Sequence, residues 1–226
     1  MSRSEKTYLN TRDRFDDPEV AAEYVKKKNA LNKGKNRREM ACIETGLAGV
    51  PAASRVLDLP CGTGRLEGML LSKGFDVVAA DYAVNMLGEA RKYLEANLDP
   101  RDLPRLSFSQ QDIMHTTFED NAFDVVICNR LFHHYPESAT RVSVLTELAR
   151  ICKGRIVLSY YNSLALSALK FRLRNMFSGR VPDDRIPISF AQFRRDIEAA
   201  GLKCVRTLPV RYGISPQTYL VLQAGD

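Results

Sequence analysis

Arg55-Val-Leu-Asp-Leu-Pro-Cys-Gly-Thr-Gly64 decides the reading of this chain. A short apolar run passes into a glycine turn, and the following Arg65-Leu66-Glu67-Gly68-Met69-Leu70-Leu71 has the apolar spacing of a helix. Strand, tight turn and helix in that order make a nucleotide-binding corner. Downstream, strand and helix patterns alternate. Strands are expected at 55–59, 76–80, 105–109, 123–128 and 155–160, with helices over 64–73, 83–96 and 137–151 between them. The alternation predicts an α/β fold, Rossmann-like, with a seven-stranded, mostly parallel sheet and helices on both faces. Two last strands, near 203–208 and 217–222, are joined by a short Pro/Gly-bearing connection that suits a hairpin, so one strand runs antiparallel to the rest.

Two segments stand outside this rhythm. Residues 1–51 read as an N-terminal helical cover: Asp17-Pro18 begins one helix, running to about Leu31, and Arg37 to Leu47 forms a second. The domain proper is 52–226. Within it, 163–188 reads as an inserted helix and loop, a lid with Leu166, Leu169, Leu173 and Met176 on one face and Lys170, Arg172, Arg174 and Arg180 about it. Ser189 then caps a helix that stops at Gly201.

In an open parallel sheet, ligands sit outside the carboxyl ends of the strands, so the loops after the first five strands carry the chemistry. A dinucleotide site needs a third glycine where this chain has Glu67, and a phosphate loop needs Gly-Lys-Ser/Thr where it has Gly64-Arg65-Leu66. Neither fits. The segment Asp58-Leu-Pro-Cys-Gly-Thr-Gly64 instead resembles the first motif of the class I S-adenosylmethionine-dependent methyltransferases, acid-x-G-x-G-x-G, with Pro60 in place of the first glycine. The likeness extends over about residues 17 to 222. It implies S-adenosylmethionine as cofactor, with S-adenosylhomocysteine as product. It also implies that Asp58, Pro60, Cys61, Gly62 and Gly64 hold the methionine end and Asp81 the ribose hydroxyls. Gln111, Asp112 and Ile113 fall to the adenine, and Asn129 to the methionine portion and the acceptor. Tyr82 and Met86 stand where they can pack on the adenine, and Arg37 or Arg38 and Tyr24 where they can close over the cofactor.

Methyl transfer from a sulfonium is an in-line displacement with an activated leaving group, so alignment is the protein's main task. Where the acceptor is a hydroxyl, a base helps. His134 and His133, just past strand four, are the candidates, and Tyr161, past strand five, is the next acceptor-orienting group. Three histidines and no carboxylate cluster at ligand spacing point to no metal site.

Adenine- and glutamine-amino methylation is disfavoured because Asn129-Arg-Leu-Phe132 lacks the paired prolines of those families. The only Pro-Cys pair, Pro60-Cys61, lies in the cofactor loop and not where a cytosine nucleophile belongs. A small-molecule or lipid- or glycan-linked acceptor remains, most simply methylated on oxygen, with peripheral contact to anionic membrane through the basic insert. An RNA or protein methyltransferase is the alternative, resting on a net charge of +6 and on Lys26 to Arg38. A non-catalytic cofactor-binding module is the third reading. Nucleic acid is a disfavoured partner. Five scattered cysteines suit a reducing cytoplasm, and the polar first residues predict no leader.

Overall fold

The computed structural model describes residues 16–23, 33–169 and 186–225. Seven strands form one sheet: β1 (Arg55–Asp58), β2 (Asp76–Asp81), β3 (Leu106–Gln110), β4 (Phe123–Cys128), β5 (Cys152–Tyr161), β6 (Leu202–Pro209) and β7 (Gln217–Ala224). Their order is β3-β2-β1-β4-β5-β7-β6. β1 pairs in parallel with both β2 and β4, and β7 runs antiparallel to β5 and β6. The chain therefore reverses its winding between β1 and β4, which opens a crevice at their carboxyl ends.

Among the described residues the helices that flank the sheet are α1 (Lys33–Gly46), α2 (Glu67–Ser72), α3 (Val84–Asn97), α4 (Ser138–Ile151) and α5 (Phe190–Ala199). Buried on both faces, the central strands point alternate residues into two separate cores. Val56, Val77, Val125, Ile127 and Val157 meet Ile43 and Leu47 of α1 and Leu70 and Leu71 of α2. Leu57, Val78, Val126 and Leu158 meet Val144, Leu145 and Leu148 of α4 and Phe193 and Ile197 of α5. α5 starts where Ser189 Oγ accepts from the Gln192 N–H at 3.2 Å, and it ends at Gly201, whose φ of 71° suits a residue without Cβ.

The expected elements are present with shifted ends. α2 begins at Glu67 rather than at Gly64, because the glycine turn continues through Leu66. β5 begins at Cys152, taking over directly from α4. The first expected helix is described over 18–23, where Asp17 Oδ1 accepts from the Glu19 and Val20 N–H groups; Tyr24 and Lys26 to Lys28 lie outside the described residues. So do residues 170–185 of the insert. In its described part, Ala165 and Ala168 are buried while Leu164, Leu166 and Leu169 are exposed, the reverse of a leucine face packed on the core. No helix among the described residues is long and apolar enough to cross a membrane.

Candidate active site

The loop after β1 fixes one wall of the crevice. Gly62 and Gly64 both have positive φ, 57° and 72°, but they serve different needs. A Cβ on Gly64 would stand 2.8 Å from Leu94 Cδ1, so this glycine lets the loop press on α3. A Cβ on Gly62 would meet nothing within 4 Å, so this glycine borders open space. The Leu59–Pro60 peptide is cis, and Cys61 is buried, which pushes its thiol well up.

Asp81, at the end of β2, accepts from the Gly62 N–H at 2.8 Å and from the Ala83 N–H at 3.0 Å. It therefore locks the turn to the next strand. Burial pushes its carboxyl up to about 6, against the opposing pull of the Ala83, Gly62 and Tyr82 N–H groups. Asp58, at the end of β1, is 1% exposed, and its Oδ1 has no hydrogen-bond partner among the described residues. Burial, then the Glu67 carboxyl beside it, pushes Asp58 well above the usual carboxylate range. A buried carboxyl oxygen without a donor on the crevice floor suits a ligand that brings one.

The remaining residues assigned to the cofactor divide. Gln111 is buried and occupied within its own loop: Nε2 donates to Ser109 Oγ and Thr117 Oγ1, and Oε1 accepts from the Thr117 N–H. It braces the loop. Asp112 caps the same turn by accepting from the Met114 N–H at 2.9 Å, and Ile113 packs into the core beneath. Met86 packs with Ala83 and with Ala21 of the leading segment, which Asn85 fastens through Nδ2 to the Asp16 carbonyl at 2.6 Å. Tyr82 is half-buried beside Asp81.

On the other wall, Asn129 follows β4 with its Oδ1 accepting from the Tyr219 hydroxyl at 2.8 Å and from Ser159 Oγ at 3.2 Å. Ser159 in turn accepts from the Arg130 N–H, so β4, β5 and β7 together hold this turn. His133 stacks on Tyr161, ring centroids 4.2 Å apart and 8° from parallel, and His134 lies 4.1 Å from His133. His133 is buried and His134 half-exposed. The chain returning from the insert borders this ring cluster, with the Ile186 N–H donating to the His133 carbonyl and the Ile188 N–H to that of Tyr161. The three residues expected to serve the acceptor thus come together.

Sequence reasoning missed the polar side chains that join the elements. Glu39 of α1 is wholly buried and pairs with Arg65 and Arg130, whereas Arg37 and Arg38, the arginines expected to close over the site, are exposed. Arg141 is 2% exposed; its Nε donates to Asp196 Oδ2 at 2.7 Å and its Nη1 to the Tyr135 carbonyl at 2.9 Å. A glutamate that follows two arginines reads as solvated in sequence, and only the fold turns it inward.

With this geometry in place, the likenesses to known proteins are informative. Residues 56–155 match the family described as methyltransferase domain. A glycine/sarcosine N-methyltransferase of Parasynechococcus marenigrum is 31% identical over 172 residues, 71% of this chain and 59% of that protein. A demethylmenaquinone methyltransferase of Renibacterium salmoninarum is 29% identical over 66% of this chain and 57% of its own. The chain thus spans less than two thirds of the length of these relatives. In structure, magnesium protoporphyrin IX methyltransferase of Synechocystis with bound S-adenosylhomocysteine superposes with a TM-score of 0.74, at 20% identity, over 97% of this chain and all of that one. The matched domain, the strand order and the glycine turn between β1 and α2 agree, and residues 56–155 of the chain are a methyltransferase domain.

Proposed function

We propose that this protein binds S-adenosylmethionine in the crevice between the β1 and β2 loops and transfers its methyl group to an oxygen of a small-molecule or lipid- or glycan-linked acceptor held against His133, His134 and Tyr161. The observation that carries the acceptor side is the ring stack of His133 on Tyr161 beside Asn129, a flat apolar wall with polar edges. The residues present fit the donor. Gly62 borders open space, the Asp58 oxygen awaits a hydrogen-bond donor, and a carboxylate such as Asp81 retains acceptor capacity beyond the two N–H groups it already holds.

The cofactor supplies the activated methyl group. Asp81 accepts the ribose hydroxyls, Tyr82 and Met86 with Asp112 and Ile113 border the base, and Pro60, Cys61, Gly62 and Gly64 shape the methionine end. Gln111 acts behind them as a brace. Asn129, with Oδ1 committed to Tyr219 and Ser159, offers its amide N–H groups to the acceptor. His134, the more exposed of the two histidines, takes the acceptor's proton, and His133 and Tyr161 set the plane in which the acceptor lies. Orientation carries most of the rate, since effective molarities on the order of 10⁵ to 10⁸ M come from alignment and only about 10² to 10⁴ from a base.

An apolar rim supports the lipid-linked class and peripheral contact with anionic membrane. Leu164, Leu166 and Leu169 are exposed beside Tyr212 and Ile214, tied together by the Leu166 N–H to the Gly213 carbonyl at 2.9 Å and by Ser167 Oγ to the Ile214 carbonyl. Arg211 is exposed next to them. This rim lies just past Tyr161, at the acceptor end. The experiment is incubation with methyl-labelled donor and fractionated cell extract. Label is expected in the lipid or small-molecule fraction; label confined to RNA or protein, or none at all, overturns the reading.

A further inference from the structure

Gln217 opens β7 at the crevice end of the sheet and is 1% exposed. Strand register fixes its neighbours. Tyr219, Ser159 and Asn129 form one row across β7, β5 and the end of β4, since Ser159 pairs with Tyr219 and Leu158 with Cys128. Nearer the crevice, Gln217 pairs with Tyr161, on which His133 stacks. Directly paired residues of antiparallel strands share a face, so Gln217 stands beside Tyr161 in the acceptor wall, one row above Tyr219.

A chain of hydrogen bonds sets which way the Gln217 amide turns. The Arg130 N–H can only donate, and it does so to Ser159 Oγ at 2.8 Å. Ser159 Oγ donates its own proton to Asn129 Oδ1 at 3.2 Å, and the Tyr219 hydroxyl gives its single proton to the same oxygen at 2.8 Å. The Tyr219 oxygen is left to accept, and Gln217 Nε2 donates to it at 3.2 Å. One hydroxyl thus holds two amides by opposite ends. Asn129 keeps its Nδ2 donors for another group, and Gln217 keeps its Oε1 acceptor.

Gln217 Oε1 is enclosed and has no hydrogen-bond partner among the described residues. With Nε2 drawn down to the Tyr219 row, Oε1 remains in the row of Tyr161 and His133. A buried carbonyl oxygen without a donor is costly, and since it can only accept, the group that repairs it must bring a proton.

We propose that Gln217 is a specificity-determining residue whose Oε1 selects acceptors with a second proton-bearing group, O–H or N–H, on the atom next to the one that bears the methylated oxygen. The inference rests on the acceptor class proposed above and narrows it. Because both amides hang on one hydroxyl, a donor and an acceptor lie side by side, matching two neighbouring heteroatoms. The methylated oxygen gives up its proton to His134, and its neighbour keeps one for Gln217. Tyr219 touches no ligand; it is the positioning residue that orients both amides.

The first test reads the product. The full chain is incubated with methyl-labelled donor and fractionated cell extract, and the labelled compound of the lipid or small-molecule fraction is solved by mass spectrometry and NMR. It is expected to carry a free O–H or N–H on the atom next to the one bearing the new methoxy group. A labelled compound without that group overturns the inference and leaves the acceptor class standing. No label in those fractions overturns the class, and the inference with it. The second test compares the purified acceptor with an analogue that has hydrogen in place of the neighbouring group. Wild type should favour the acceptor roughly tenfold to a hundredfold in kcat/KM. Gln217→Met, similar in length but without the amide, should reduce that preference to within about threefold while S-adenosylhomocysteine affinity stays within about threefold of wild type. Thermal melts confirm that each variant is folded at the assay temperature. Gln217→Glu, which keeps an acceptor oxygen, should retain more of the preference than Gln217→Met, and Tyr219→Phe should lose part of it. No preference in the wild type, or an undiminished one in Gln217→Met, means that water or the fold alone satisfies Oε1 and overturns the inference.

Discussion

On the β2 side of the winding reversal the crevice is made of backbone and short acids: two positive-φ glycines, the Asp81 carboxylate joining two backbone N–H groups, and the enclosed Asp58. On the β5 side it is made of rings and of side chains from distant parts of the chain: His133 on Tyr161, and Asn129 under a tyrosine 90 positions away. The first kind of wall is fixed by local chain geometry. The second is fixed by packing, so its specificity changes with any of several side chains. On the proposed function the first wall serves donor binding and the second acceptor turnover, and three measurements test whether the two come apart.

The largest effect is expected at the histidines. His134→Ala should lower turnover of a labelled acceptor by about 10² to 10⁴, the range for loss of a general base, with S-adenosylhomocysteine affinity within about threefold of wild type. His133→Ala should also lower turnover through loss of the ring stack. If both single variants methylate at the wild-type rate, the base assignment is wrong. Next in size is a stability effect confined to the acceptor wall. Arg141 and Asp196 are 2% and 1% exposed, and the pair joins α4 to α5 while Arg141 also holds the Tyr135 and Pro136 carbonyls at the end of the histidine turn. Removing the acid leaves a buried guanidinium unpaired, so Asp196→Ala should cost about 3–5 kcal/mol in denaturant unfolding. A loss below about 1 kcal/mol would mean that water replaces the carboxylate, and that this wall is looser than its burial indicates.

The same contrast explains what the sequence discloses. The sheet, its antiparallel β7, the Ser189 cap and the glycine turn follow from periodicity and from residues adjacent in the chain. The acids at the ends of β1 and β2 are legible because strand ends can be counted. Glu39 is not legible: it follows Arg37-Arg38 in a charged helix, and its burial comes from Arg65 and Arg130, 26 and 91 positions away. Tyr219 reads as one more buried strand residue until its hydroxyl is found on Asn129. Leu166 and Leu169 share a face by helical spacing, but spacing does not say which way that face turns, and in the fold it is Ala165 and Ala168 that are buried. Gln111 lies on the loop after β3 that the count of strand ends picks out, and its side chain is held within that loop by Ser109 and Thr117, contacts that spacing does not disclose.

The smallest expected effect tests the donor wall by pH. Burial raises the Asp81 carboxyl from an ordinary 3.8 to about 6. Between these values the folded protein holds this proton and the unfolded chain does not. The stability Asp81 contributes is therefore fully present below about 3.8 and is lost as pH rises through about 6. Donor binding should run the other way. Ribose hydroxyls donate to a carboxylate, so they favour the ionised form and lower its pKa in the complex. S-adenosylhomocysteine affinity should then fall by up to about tenfold per unit as pH drops below about 6, and flatten above it. Asp58 is also raised, so the test needs a variant that removes only one of the two groups. Asp81→Asn should bind more weakly and lose the slope near 6, because an amide has no proton to release there. A slope that survives in Asp81→Asn means that Asp81 is not the group whose ionisation governs donor binding. An affinity independent of pH in the wild type means that Asp81 serves only to lock Gly62 and Ala83, and that the ribose is held by other groups.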